Sequence, residues 1–201
     1  IAASIEEACT VKGANLAIVA TPHNQIVDCA MVAVGNGLHV LIEKPITETV
    51  TQAEELIAIA TAHKAKLQVG HLERFNSARL ALDEHLNKPL FIESHRLAPY
   101  NPRGADVNVI LDLMIHDLDL VLALANSKIK SISAVGSAVV TKELDLANVR
   151  IEFESGCIAN INACRISPIT SRKFRVFQKD ALISMDLGQI KVDVTRKEGE
   201  L

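Results

Sequence analysis

The sequence predicts an α/β protein in two parts: a parallel α/β segment to about residue 72, then an α+β segment with a mainly antiparallel, open sheet. Before residue 72, short apolar runs alternate with stretches of helical length, the βαβ pattern of a parallel sheet. From Lys130 onward, period-2 runs follow one another across short turns, as in an antiparallel sheet with one wet face. The chain has 201 residues, 49% of them hydrophobic and 22% charged, an ordinary globular composition with material for a substantial core.

Ser4-Ile5-Glu6-Glu7 reads as a capping box that opens a short helix. Residues 14–20 (A-N-L-A-I-V-A) form an apolar, β-branched run that suits a fully buried strand, ended by Thr21-Pro22. A helix is expected over 24–35, stopped by Gly35 and Gly37. Residues 39–42 (H-V-L-I) make a second strand that ends at Glu43-Lys44-Pro45. A helix over 51–63 and a third strand over 67–70 complete the first part. A helix over 75–86, a strand over 90–97 and a polar loop over 98–106 follow. The apolar run 107–125 is long enough for about five turns at ~3.6 residues each. Residues 149–153 and 157–163 alternate on either side of Glu154-Ser155-Gly156 and read as a hairpin. Further strands are expected over 173–178, 181–186 and 189–195.

The helix over 107–125 holds the chain's most telling pattern. It is apolar nearly all round, which marks a buried helix, yet a polar stripe runs through it. At ~100° per residue, Asp112, His116 and Asp119 fall within roughly 40° of one another. Buried polar side chains must be paired, solvated or in use, because an unpaired buried charge is prohibitively costly. Two readings stand: a core histidine satisfied by a neighbouring carboxylate, or a general base with its orienting acid.

Several classes are disfavoured. Asp112, His116, Asp117 and Asp119 break the one run long enough to suggest a membrane span. The first residues show no basic stretch followed by an apolar one, so no secretory signal is expected. A net charge of −3, one Tyr and no Trp argue against a nucleic-acid surface. The four cysteines lack metal-ligand spacing and read as reduced core thiols of a cytoplasmic protein; no metal site is expected.

Three stretches taken together resemble the Gfo/Idh/MocA family, the NAD(P)-dependent sugar and polyol dehydrogenases typified by glucose–fructose oxidoreductase and inositol dehydrogenase. They are A-I-V-A-T-P at Ala17 to Pro22, G-L-H-V-L-I-E-K-P at Gly37 to Pro45, and D-L-M-I-H-D-L-D at Asp112 to Asp119. The last looks like that family's D-x-x-x-H-x-x-D helix. The resemblance implies that residues 1–72 are the C-terminal part of a Rossmann-type dinucleotide-binding domain. Residues 73–201 would then be a substrate-binding and oligomerisation domain. It also implies a Gly-rich phosphate loop ahead of Ile1 and further sheet beyond Leu201, since no G-x-G-x-x-G occurs here and a dinucleotide needs that turn.

The resemblance further implies NAD as cofactor, NADP remaining open, and a sugar or nucleotide sugar as substrate. V-G-H-L-E-R-F-N with R-G-A-D-V-N-V-I-L-D-L-M-I-H-D looks most like the branch that oxidises the 3-hydroxyl of UDP-N-acetylglucosamine. Inositol or another polyol, and a non-catalytic dinucleotide-binding relative, are the alternatives. His116 suits the base, because histidine's unperturbed pKa of ~6.5 matches neutral pH. Asp112 would orient it or bind a substrate hydroxyl. Lys44, by resemblance, reaches the nicotinamide ribose and the reacting oxygen, across a Lys44–Pro45 bond expected to be cis. Thr21, Pro22, Glu43 and Pro45 would line the cofactor path. Arg74 is a candidate cofactor contact, Asn76 and Arg103 candidate substrate contacts; each also reads as a cap, a salt-bridge partner or a surface side chain. The wet sheet face suggests a homo-oligomer.

Overall fold

Local capping starts the chain's helices. In the computed structural model, which describes residues 1–102 and 107–196, Ser4 accepts the Glu7 N–H at 3.2 Å and begins α1 (Ile5–Cys9). The return bond of the box is displaced by one residue: the Glu7 carboxylate accepts from Ala3 N–H at 2.6 Å, not from Ser4. Two compact units follow from the packing, Ile1–His71 and Leu72–Leu201.

The first unit is a parallel sheet of three strands, β1 (Leu16–Val19), β2 (His39–Ile42) and β3 (Leu67–Val69), in that order. Helices α2 (His23–Gly35) and α3 (Val50–Ala62) complete its βαβ units. Thr49 and Gln52 form a full reciprocal capping box at α3, so that helix starts a residue earlier than the apolar pattern indicates. Val19, Val40 and Ile42 share a core with Ile26, Ala30, Val34, Leu56 and Ala60. The expectation of a fully buried first strand fails on its other face, where Leu16 is 54% and Ile18 68% exposed. Those two side chains belong to the opposite parity from the core residues.

The second unit opens with a 3₁₀ turn, Leu72–Phe75, and the short α4 (Ser77–Leu82). The single helix expected over 75–86 is therefore broken. Asn76 takes an extended conformation (φ −62, ψ 130) and accepts the Ala78 N–H at 3.0 Å, acting as the N-cap. Seven strands build the sheet: β4 (Phe91–Leu97), β5 (Ile129–Ser137), β6 (Leu146–Phe153), β7 (Ile158–Cys164), β8 (Ser171–Phe177), β9 (Ala181–Asp186) and β10 (Lys191–Arg196). Their order is β10-β9-β8-β4-β7-β6-β5; the β4–β7 pair is parallel and the others antiparallel. The expected hairpin is β6–β7, turning through Gly156 at φ +87. One face carries the core, with Ile92, Ala159, Ile161, Phe174, Val176 and Ile183 all fully buried.

Against that face lies the 107–125 segment, and it is not one continuous α-helix. Ile110–Met114 forms a π-helical turn, and α5 (Ile115–Ala125) continues from it. Asn108 accepts the N–H groups of Ile110 and Leu111 at 3.0 and 3.1 Å and starts the segment. Asn126, left-handed at φ 41, ends it. The wider turn changes the angular step, so the ~100° spacing assumed for Asp112 does not hold there.

A buried ion pair fixes the entry to this segment. Asp145 accepts the N–H groups of Val139, Val140 and Thr141 at 2.8, 2.6 and 2.9 Å and the Arg165 Nε at 3.0 Å. Arg165 also donates to the Val107 carbonyl at 2.6 Å. All four cysteines are free thiols; Cys9 and Cys157 are buried, Cys29 and Cys164 only half-buried, so the core reading holds for two. Among the described residues, no helix is long and apolar enough to cross a membrane, and no group of His, Cys, Asp or Glu is placed to hold a metal ion.

Two stability outcomes follow from these contacts. Phe174 is fully buried at the sheet centre, so Phe174→Ala should cost about 3–5 kcal/mol in urea unfolding. Burial pushes the Asp145 carboxyl up, but the Thr141, Val139 and Val140 N–H groups outweigh it and hold it well below the usual carboxylate range. A depressed folded-state pKa adds stability above the unfolded value of about 3.9, and that stability drains away as pH falls further. Asp145→Asn should therefore lower the melting temperature most near neutrality. The gap to wild type should narrow below about pH 4; a gap that stays constant would contradict the assignment.

Candidate functional site

Because β1, β2 and β3 are parallel, their carboxyl ends share one edge of the sheet, where open α/β sheets bind ligands. Thr21 and Pro22 follow β1, Glu43-Lys44-Pro45 follows β2, and Gly70-His71 follows β3. The Lys44–Pro45 peptide is cis, as the motif suggests. Backbone bonds continue the ladder to this edge: Glu43 N–H donates to the Val19 carbonyl at 3.0 Å and Gly70 N–H to the Ile42 carbonyl at 2.7 Å. A Cβ on Gly70 would lie 3.2 Å from the Ile42 oxygen and 3.4 Å from the Glu43 carboxylate. The glycine leaves Glu43 its place.

Two buried polar atoms here have no hydrogen-bond partner among the described residues, Thr21 Oγ1 and His71 Nδ1. Leaving such a group unsatisfied costs about 1–3 kcal/mol, so an orphan asks for a partner from outside the fold. A hydroxyl, an imidazole nitrogen, a carboxylate and a lysine at one sheet edge suit a polyhydroxylated ligand such as the ribose of a dinucleotide. His71, in the G-H-L-E-R-F-N stretch, reads from sequence equally as a capping residue or a cofactor or substrate contact; it stands two residues beyond the end of β3.

In the second unit, Asp112 stands in the π turn and His116 in the first turn of α5, both half-buried. Asp119 receives a two-pronged bond from Arg74, with Nε to Oδ2 and Nη2 to Oδ1 both 2.7 Å. That bond holds the Arg74 guanidinium above its ordinary pKa. The structure thus ties Arg74 to α5. Asn76, a candidate for the substrate, caps α4 and donates to Glu73 at 3.1 Å and to the Leu187 carbonyl at 2.9 Å. Arg103 lies outside the described residues.

Sequence reasoning missed a second set of buried charges. Arg96, 3% exposed, points from β4 into the core, with Nε and Nη2 donating to Asp117 Oδ1 at 3.0 and 2.7 Å and Nη1 to Glu73 Oε1 at 3.1 Å. Burial alone would lower the Arg96 pKa; Asp117 and Glu73 more than restore it. Burial pushes the Asp117 carboxyl up, and Arg96 pulls it part of the way back. The signal was present in the alternation of F-I-E-S-H-R-L, which sets Arg96 on the same face as Ile92.

A groove of about 450 Å³ lies elsewhere, on the open sheet face, lined by His95, Lys173, Arg175, Asp186, Lys191 and Asp193. Its charges are paired, Lys173 with Asp186 at 2.6 Å and Lys191 with Asp193 at 2.9 Å within the groove, and Arg175 with Glu93 beside it.

Comparison with known proteins places the chain in a family. Residues 2–71 match the model of the "Oxidoreductase family, NAD-binding Rossmann fold", and residues 67–184 match the "GFO/IDH/MocA C-terminal domain". The chain is 38% identical over 169 residues to UDP-N-acetylglucosamine 3-dehydrogenase of Acidithiobacillus ferrooxidans, covering 84% of this chain and 54% of that protein. A solved structure of that enzyme superposes with a TM-score of 0.90 at 33% identity, over 97% of this chain and 64% of the other. The scyllo-inositol 2-dehydrogenase (NAD(+)) of Bacillus subtilis is 26% identical over 176 residues, 78% of this chain and 50% of that protein. The chain spans about half the length of the curated relatives it matches. It belongs to the Gfo/Idh/MocA family of oxidoreductases.

Proposed function

We propose that this chain is the nicotinamide-proximal and substrate-handling part of an NAD-dependent dehydrogenase that oxidises the 3-hydroxyl of UDP-N-acetylglucosamine. The observation that supports the reading is where the motif residues stand: Lys44 just past the carboxyl end of β2 in the first unit, and, in the second, Asp112 in the π turn with His116 in the first turn of the α5 that follows it. The 38% identity to an enzyme named for that reaction supports the choice of substrate. Residues 1–72 act as the partial dinucleotide-binding domain, and residues 73–201 as the substrate-binding and oligomerisation domain. The open sheet face, with its alternating charges, is the surface for association with a second copy.

Thr21, Pro22, Glu43, Lys44 and Pro45 hold the ribose end of the cofactor, with Thr21 Oγ1 and His71 Nδ1 gaining the partners they lack within the fold. When bound, nicotinamide supplies the hydride acceptor. His116 accepts the proton of the substrate hydroxyl, and Asp112 orients its imidazole. Lys44 places a cation where negative charge develops on the carbinol oxygen, lowering the barrier to proton loss. Arg103 binds an anionic group of the nucleotide. Arg74, on the cofactor side, and Asn76, on the substrate side, also make contacts within the fold, Arg74 on Asp119 and Asn76 on Glu73.

With the full-length protein, NADH formation should appear on adding UDP-N-acetylglucosamine. His116→Ala should lower kcat by about 10²–10⁴-fold with NAD affinity retained. Lys44→Met should cost about 10²–10³-fold. Brisk turnover of free inositol or glucose with none of the nucleotide sugar would sink the substrate assignment, and an unchanged rate in His116→Ala would remove its base.

A further inference from the structure

The helix that carries His116 is held by charges that the proposed reaction does not consume. Arg96 leaves the buried face of β4 and divides its guanidinium between two elements. Nε and Nη2 grip Asp117 on α5 at 3.0 and 2.7 Å, and Nη1 grips Glu73 in the 3₁₀ turn at 3.1 Å. Glu73 is fixed from its other oxygen by Asn76 Nδ2 at 3.1 Å, and Arg172 Nη1 approaches it at 3.7 Å. Arg74, next in sequence, holds Asp119. At ~100° per residue, Asp117 lies about 100° to one side of His116 around the helix and Asp119 about 60° to the other. The imidazole therefore rises from the arc of α5 between two anchored carboxylates.

We propose that Arg96 is a positioning residue for His116. By locking Asp117 to Glu73 it sets the rotation and height of the first turn of α5 against the 72–76 segment, and so the place from which the imidazole acts. The inference rests on the reading of His116 as the base. The site uses a planar fork, with two donors converging on one carboxylate oxygen of Asp117 and a third donor on Glu73. An ammonium cannot reproduce that, so lysine in its place is no conservative change. The surrounding charges would survive such a substitution while the geometry relaxed. A misplacement of ~1 Å can cost ~10²-fold in rate.

The test uses the full-length protein and two variants, Arg96→Lys and Glu73→Gln, the second keeping the Arg96–Asp117 bond. Kinetics separate kcat from KM, and the His116 imidazole signals in ¹H–¹⁵N spectra of the unliganded protein, assigned by their loss in His116→Asn, report its placement directly. Arg96→Lys should lower kcat by about 10–100-fold while the KM for NAD moves less than about twofold. The His116 signals should shift or broaden while those of exposed His63 stay put. Glu73→Gln should move both readouts in the same direction by less, and carries the test alone should Arg96→Lys not fold. Folded variants whose kcat stays within about twofold of wild type, with the His116 signals unmoved, would overturn the proposal. If wild type oxidises no sugar, the function assignment fails by itself, and the imidazole signals still decide for or against Arg96.

Discussion

A guanidinium on the inner face of a sheet cannot be left alone. Desolvating a charge of that size costs several kcal/mol even after relaxation, and the cost is offset only when its donors meet charged acceptors in good geometry. Arg96 shares the inner face of β4 with Ile92 and Ser94 and stands opposite the buried Ala163 of β7, so its acceptors had to come from whatever packs on the sheet. They come from two places, Asp117 on α5 and Glu73 in the 3₁₀ turn. One buried charge thereby dictates which side of α5 faces the sheet, and where the chain must run as it enters the second unit.

The same constraint explains a break in the helix. An uninterrupted α-helix through 107–125 has one fixed relation between Asp112 and the residues from His116 to Asp119. The π turn at Ile110–Met114 loosens that relation by changing the angular step before α5 begins. Asp117 can then face Arg96 and Asp119 can face Arg74, while Asp112 keeps its own direction. Single π turns of this kind concentrate at functional sites, which agrees with where this one lies.

Architecture was readable because it follows from patterns that repeat. Alternation of short apolar runs with helical stretches gave the parallel sheet, and period-2 runs with turn residues gave the antiparallel one; both are present in the expected order. Single residues with two local uses were not readable. Asn76 fits the interior of an expected helix by spacing, yet its side chain competes for backbone donors and ends the 3₁₀ turn instead. The first strand reads as buried because all its residues are apolar. Nothing in its own sequence says which parity the helices cover, and Leu16 and Ile18 fall on the bare one.

Candidate residues divide the same way. Motif residues at strand ends, Thr21, Glu43 and Lys44, were legible because a parallel strand delivers its last residues to one edge whatever the rest of the fold does. Asp112 and His116 were legible as candidates by spacing, although the structure divides them between the π turn and α5. The partners of Arg74 and Arg96 were not, because an arginine's long stem lets it answer carboxylates far away in sequence, on elements whose packing only the fold decides. Asp119, equal to Asp112 by spacing alone, proves to be occupied by Arg74, which removes it from competition for the substrate. Under the proposed function the candidates left for chemistry are then Asp112 and His116, and the role proposed for the surrounding charges is to keep His116 in register.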